Sequence, residues 1–375
     1  MAKILPIRQR LVGSFSNVSE VKRSNTTKRV GYLYDKMADK QLIRYIIVTG
    51  AVGKRGRTDV EAVLSDLGTY VDKVYDLVVG NSYIPTPPRH VKIFDKSSGK
   101  EREIGIVPYF PDGIMHRLAT EVAKPVFMRG MYAHSCASIP KRGNMHAIKY
   151  VKKALRNPKK SKYCAKLDIR HFYPSLKHDE IIGMLRRKIK DEKYLELVRK
   201  IISSDGEGIT IGFYINQWLA NVFLEELDHK IIGFDGVSYY VRNMDDMVLI
   251  GSNKRKLHSA VDMIRSYLET HDLTLKDNWQ VFRVDDRGID FVGYRFFHGY
   301  TLLRKRNFLR LARQARRCKK KVDDGDVIDF HNASGLLSRA GQLKHCSGEN
   351  ILKKYVHPIG IGFLKDIVRM DLGGI

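Results

Sequence analysis

The stretch Lys166-Leu167-Asp168-Ile169-Arg170-His171-Phe172-Tyr173-Pro174-Ser175 decides how this chain is read. The apolar run from Cys164 to Ile169 is a strand, and Asp168 stands at its end. A lone strand-end aspartate is ordinary turn or cap chemistry. Further along, Tyr239-Tyr240-Val241 and Met247-Val248-Leu249-Ile250 read as the arms of a hairpin, with Asp245-Asp246 in its turn. Two adjacent strand ends carrying three carboxylates change the reading. Phosphoryl transfer needs hard oxygen ligands for two Mg²⁺ ions roughly 4 Å apart beside the incoming phosphates, and this pattern supplies them.

Working outward, Gly208-Ile209-Thr210-Ile211-Gly212-Phe213-Tyr214-Ile215-Asn216-Gln217 is a glycine-punctuated loop entering a helix at Trp218. Its glycines are expected to let a nucleotide or nucleic-acid strand approach the backbone. Gly288 to Phe296 alternates as a tight hairpin beside the acidic strands. Upstream, Thr58-Asp59-Val60-Glu61 reads as a capping box opening one helix through Val60, Val63, Leu64, Leu67, Val71, Val74 and Val78, which should stop near Gly80-Asn81. Beyond Pro85, Pro87 and Pro88, the runs Val91 to Phe94 and Glu103 to Val107 predict a hairpin. Helices are expected around His116 to Phe127, from Lys141-Arg142-Gly143 through Val151, and over His178 to Ile202, Asn216 to Ile232 and Lys254 to Glu269.

The chain has 375 residues, and 67 Lys+Arg against 41 Asp+Glu leave a formal charge of +26. A polyanionic partner follows, while a 43% hydrophobic content excludes disorder as the main state. Arg304 to Lys321 places 10 Lys or Arg in 18 positions, interleaved with Phe308, Leu309, Leu311 and Ala315. This predicts an amphipathic helix with one apolar side, whose like charges, without acidic partners, repel unless phosphates neutralise them. Residues 1–29 form a basic arm expected to order on something else. Cys136, Cys164, Cys318 and Cys346 form no CxxC pair and read as reduced thiols. With no apolar signal region and no apolar stretch long enough for a membrane, the expected location is cytoplasmic.

Taken in order, these blocks resemble a reverse transcriptase. Asp168 through Phe172-Tyr173-Pro174-Ser175 is similar to that family's motif A, Gly208 through Asn216-Gln217 to motif B, Met244-Asp245-Asp246 to motif C, and Gly288 to Phe296 to the primer grip. Arg102-Glu103-Ile104 through Pro108 and Ser135 through Gly143 are similar to its fingers blocks, and the likeness runs from about Val30 to Ile359. Leu275 to Phe282, Arg287 to Phe291 and Leu302 to Lys305 look most like the enzymes of diversity-generating retroelements and their defence-associated relatives, and less like group II intron proteins. Two positions depart from the pattern. Asn243 replaces the motif C tyrosine and Asn216 the motif B serine, both amides expected near the nucleotide or primer end.

The resemblance implies an α+β right-hand polymerase fold: fingers at 30–160, a palm with an antiparallel sheet at 161–300, and a helical thumb at 301–375. It implies catalysis by Asp168, Asp245 and Asp246, with Asp168, Asp245 and the Ile169 carbonyl as ligands of two Mg²⁺ ions, or of Mn²⁺, and Asp246 nearer the primer. Tyr173 would be the steric gate against a 2′-hydroxyl. Gln217, Arg102, Arg142 and Lys276 would contact the nucleotide, Lys276 as proton donor to pyrophosphate, although the usual lysine spacing falls on Trp279. Arg304, Lys305, Arg306, Arg310, Arg313, Arg316 and Arg317 would bind nucleic acid. The implied partners are deoxynucleotides, a template-primer duplex and a structured non-coding RNA, with an accessory protein or homo-oligomer left open. An untemplated or protein-primed polymerase and a catalytically idle RNA-binding protein are the competing readings.

Overall fold

A computed structural model of the chain describes residues 28–95 and 99–372; nearly all of the basic arm therefore lies outside the described residues. The first helices are α1 (Lys40–Gly50), α2 (Thr58–Ser65) and α3 (Leu67–Val79). The hairpin of β1 (Arg89–Asp95) and β2 (Lys100–Ile106) follows, then α4 (Ile114–Arg129), α5 (Asn144–Leu155) and β3 (Tyr163–Asp168). Next come α6 (His178–Arg186), α7 (Glu192–Ile202), α8 (Asn216–Phe223) and α9 (Glu225–Ile232), the hairpin of β4 (Tyr239–Asn243) and β5 (Asp246–Gly251), and α10 (Lys254–Glu269). The chain continues through β6 (Gln280–Arg283), α11 (Val284–Arg287), β7 (Ile289–Phe291), β8 (Tyr294–Phe296) and β9 (Thr301–Leu303). It ends with α12 (Lys305–Asp323), α13 (Phe330–Leu343), α14 (Glu349–Tyr355) and α15 (Ile361–Leu372).

Three expected helices are each divided. Asp66 leaves helical geometry at φ −128° and ψ 54°, separating α2 from α3. The capping box does not form either: Arg57 is the N-cap and Thr58 is already helical. Glu61 instead reaches back to accept from the Gly56 amide at 3.0 Å, and Asp59 accepts from the Tyr109 amide at 3.2 Å. The His178 to Ile202 segment breaks before Asp191, whose carboxylate caps α7 by accepting from Tyr194 N. Asn216 to Ile232 breaks at Leu224, with Glu225 and Glu226 in the first turn of α9, where an N-terminus favours acid.

The four-stranded antiparallel sheet runs β4-β5-β3-β6, with β7-β8-β9 as a separate three-stranded sheet. Alternation along the central strands sends their side chains to two hydrophobic cores. Ala165, Leu167, Ile169, Tyr240, Met247 and Leu249 face the larger core, which includes α1, α3, α4 and α6 to α10. Cys164, Val241, Val248 and Ile250 face a second core shared with α5, β7 to β9 and the C-terminal helices. The cores run across the units expected from the sequence rather than dividing at 160. The sheet is the common wall, and its strand ends carry the acidic residues.

Candidate active site

Asp168 ends β3 and Asp246 begins β5, and the two are cross-strand partners. Opposed residues of an antiparallel pair project to one face, as do residues two apart on one strand, so Asp168, Asp246 and Lys166 share a face. Lys166 ion-pairs with Asp246, and Lys276 with Asp168. Asp245 lies in the Met244-Asp245 turn joining β4 to β5, with Met244 in the left-handed region at φ +60°. The turn carries Asp245 against Asp168. Burial and the Asp168 carboxylate together push the Asp245 pKa up to about 6.

The Ile169 carbonyl is placed by alternation. Lys276 N donates to Asp168 O, and Arg170 N to Thr274 O, each at 2.8 Å. Ile169, one residue out of phase, therefore points its carbonyl the other way, toward β5. Two facing carboxylates and a carbonyl are hard oxygen donors, and both the burial that raises Asp245 and the Asp168 charge that adds to it are offset by a divalent cation, so these residues fit Mg²⁺ or Mn²⁺. Among the described residues no three His, Cys, Asp or Glu side chains are already gathered as a metal cluster.

Tyr173 begins a short 3₁₀ turn after motif A, and its hydroxyl donates to Met244 Sδ at 3.6 Å. Burial and Asp245 raise the tyrosine pKa, against an opposing pull from Arg102. Arg102 of β2, Tyr173 and Asp245 thus act on one space. The glycine loop joins them. Ile209 N donates to Tyr173 O at 3.0 Å, and Gly105 N of β2 donates to Ile211 O at 2.9 Å. A Cβ on Gly208 (φ +75°) would fall 2.2 Å from Pro174 O, and one on Gly212 (φ +120°) 2.3 Å from Gly105 O. The expected opening for nucleic acid is therefore corrected: these glycines admit the protein's own backbone. They tie the turn after motif A to β2.

Asn216 is also corrected. It is fully buried, and its amide donates to Thr210 O at 3.0 Å, bracing the loop from inside. Gln217, the next residue, is exposed at the start of α8. Arg142 donates from Nη1 to Tyr132 O at 2.8 Å, beside β4, where the Tyr132 hydroxyl donates to Tyr240 O at 2.7 Å. One guanidinium nitrogen is thus bonded to backbone there, with the side chain half-buried. Trp279 packs edge-on against His258 under the Arg265 guanidinium, so it is Lys276 that reaches Asp168.

Helix α12 does have acidic partners, contrary to expectation: Arg304 pairs with Asp290, Lys319 with Asp323 and Lys321 with Asp329. Its buried stripe is Leu311, Ala312, Gln314, Ala315 and Cys318. Leu309 lies off that stripe and, with Phe94, Arg306, Arg310 and Arg313, lines a groove of about 520 Å³ between the β1–β2 hairpin and α12. Lys305, Arg313, Arg316 and Arg317 are exposed, Arg316 standing 5.6 Å over the Tyr355 ring. Sequence reasoning missed Lys166, Asp228 and Arg242. The available signal was a cation inside an apolar strand, in Ala165-Lys166-Leu167 and Val241-Arg242.

An antiparallel sheet that delivers paired carboxylates to adjoining strand ends, with a helical layer on one face and a basic helix beyond the other, is the palm of a right-hand polymerase. The chain belongs to the reverse transcriptase (RNA-dependent DNA polymerase) family, whose sequence pattern matches residues 96–296, more than half of the chain and short of the span expected at both ends. Protein YkfC of Escherichia coli K12 is 28% identical over 168 residues, covering 42% of this chain and 44% of YkfC. The group II intron-encoded protein LtrA of Lactococcus lactis subsp. cremoris is 24% identical over 172 residues, 43% of this chain and 28% of LtrA. The chain thus spans less than half the length of these curated relatives. Telomerase from Candida albicans, solved with a fragment of telomeric RNA, superposes with a TM-score of 0.46 at 14% identity, over 74% of this chain and 57% of that one. No described helix is long and apolar enough to cross a membrane.

Proposed function

We propose that this chain is an RNA-directed DNA polymerase working with a dedicated structured non-coding RNA, in a diversity-generating retroelement or an antiphage defence system. The observation that carries the polymerase reading is the placing of Asp168 at the end of β3 opposite Asp246, with Asp245 in the adjoining turn, within the sequence pattern of the family. A primer 3′-oxygen attacks the α-phosphorus of a bound deoxynucleotide, and pyrophosphate leaves. Magnesium held by Asp168, Asp245 and the Ile169 carbonyl supplies charge stabilisation and activation of the hydroxyl when bound. The Tyr173 ring lies against the sugar and excludes a 2′-hydroxyl, Arg102 meets the triphosphate, and Lys276 stands beside Asp168 as proton donor to the leaving group. The exposed cations of α12 grip the backbone of template-primer or RNA.

The test is deoxynucleotide incorporation on an RNA template with a DNA primer. Magnesium-dependent synthesis that disappears in Asp168→Ala and Asp245→Ala supports the reading; full activity in a folded Asp245→Ala protein overturns it. The RNA partner is tested by sequencing RNA retained by wild type and by an Arg313, Arg316 and Arg317 charge-reversal variant across a salt series. One enriched species lost in the variant is expected. The same heterogeneous RNA on both proteins removes the dedicated partner.

A further inference from the structure

Behind the acidic turn, on the larger-core side, lies a charged cluster with no part in the chemistry above. Arg242 is fully buried on β4, three residues before Asp245. Its Nε donates to Asp228 Oδ1 at 2.8 Å and its Nη2 to Oδ2 at 2.6 Å, a bidentate pair with an equally buried carboxylate. The Tyr240 hydroxyl donates to the same Oδ1 at 2.7 Å. Nη1 serves two other groups: Asn221 Oδ1 at 3.1 Å and the Met244 carbonyl at 3.0 Å. Asn221 in turn donates to Gln217 O at 2.9 Å and Ala137 O at 3.1 Å, and accepts from Ser135 Oγ at 3.0 Å.

We infer that Arg242 is a positioning residue: its planar fork holds the left-handed Met244 turn, and through Asn221 the start of α8, so that the carboxylate of Asp245 and the side chain of Gln217 are presented in one fixed relation. Methionine at φ +60° is a conformation that side-chain sterics disfavour, and it persists where surrounding contacts over-determine it. Within this network the Nη1 bond to the Met244 carbonyl does so directly. The other two nitrogens anchor on Asp228 of α9, so the turn is referred to two helices and a strand at once. Lysine keeps the charge but has no fork with which to serve Asp228, Asn221 and Met244 together. The inference rests on the reading of Asp245 as a metal ligand.

The experiment titrates Mn²⁺ by electron paramagnetic resonance on the full chain without nucleotide, so that it does not depend on turnover, with melting temperature recorded for each variant. Asp245→Ala is the control: if it binds Mn²⁺ as wild type does, the metal-ligand reading itself fails. Given loss of binding in that control, the double variant Arg242→Met with Asp228→Leu removes the buried pair without leaving an unpaired charge, a replacement often neutral for stability. It is expected to fold and to bind Mn²⁺ at least tenfold more weakly. Arg242→Lys is expected to weaken binding at least threefold, and adding Met244→Gly, which makes the left-handed turn cheap, to recover part of that loss. Wild-type affinity in Arg242→Lys, or in a folded double variant, overturns the inference, as does a Met244→Gly addition that recovers nothing. Should the double variant fail to fold, the lysine variant with and without Met244→Gly decides alone.

Discussion

Two kinds of ion pair stand on opposite sides of the same sheet. At the front, Lys276–Asp168 and Lys166–Asp246 are single-point lysine contacts whose side chains keep 31%/36% and 25%/29% of their exposure. At the back, Arg242–Asp228 is bidentate and wholly buried at 0%/0%, and bonds to Asn221 Oδ1, the Met244 carbonyl and, at 3.5 Å, the Asn221 carbonyl take the remaining donors of the guanidinium. A compact ammonium on a flexible stem can leave when a cation arrives, whereas a buried fork with every donor used cannot rotate without orphaning several groups. The front is arranged to be exchanged and the back to stay. On the polymerase reading proposed above, a site that admits metal and nucleotide repeatedly needs both, since the mobile groups need something fixed to be mobile against.

The sharpest way to break this contrast is Arg242→Ala, which strands Asp228 as a buried unpaired charge. A loss of about 3–5 kcal/mol in denaturant-measured stability is expected, and a loss under about 1 kcal/mol would place the rigidity elsewhere. The next test uses a buried polar site that is not saturated. His116 lies inside the larger core, with burial holding its pKa at about 4 against the ordinary 6.5 and with Asp112 opposing the shift. The neutral ring is the folded form, so the unfolded chain binds the extra proton between these values. Stability should be full above about pH 6.5 and fall by about 3 kcal/mol as pH drops to about 4. Denaturant midpoints across that window should flatten in His116→Leu, and an unchanged slope would clear His116 of the effect.

Smaller effects probe the front. Tyr173→Ala should reduce discrimination against ribonucleotides roughly tenfold in paired competition, about 1.4 kcal/mol of transition-state preference, because the ring touches the Met244 turn rather than the core alone. An unchanged ratio would return the ring to a packing role. Lys276→Ala should alter thermal stability by under about 1 kcal/mol, as expected of a partly exposed pair. A larger loss would make the front as structural as the back and erase the distinction.

Much of the candidate site was legible in the sequence. The strand ends at Asp168 and Asp245-Asp246 follow from alternation and turn position, which are local properties. So do α10, which spans the predicted Lys254–Glu269, and the β1–β2 hairpin. The misreadings share a cause. Gly208 and Gly212 announced a close approach, but whether nucleic acid or backbone approaches depends on Pro174 and Gly105, each distant in sequence from the glycine it meets. Asn216 read as an amide near the nucleotide because it stands at the motif B serine position, yet it is buried while Gln217 beside it is exposed. Leu309 was assigned to the apolar side of α12 although it stands on the rim of the groove.

By itself the sequence determined the order of the motifs, the carboxylates and their strand-end placement, the excess of positive charge, and the family likeness, because each is written in residue type and short-range period. Only the tertiary structure decided which cations neutralise which acids. That Lys166 meets Asp246, that Lys276 meets Asp168, and that Arg242 joins Asn221 of α8 and Asp228 of α9 are facts of tertiary packing. A charged side chain will take any partner that repays its desolvation, and which partner lies within about 3 Å is set by the packing of elements far apart in the chain.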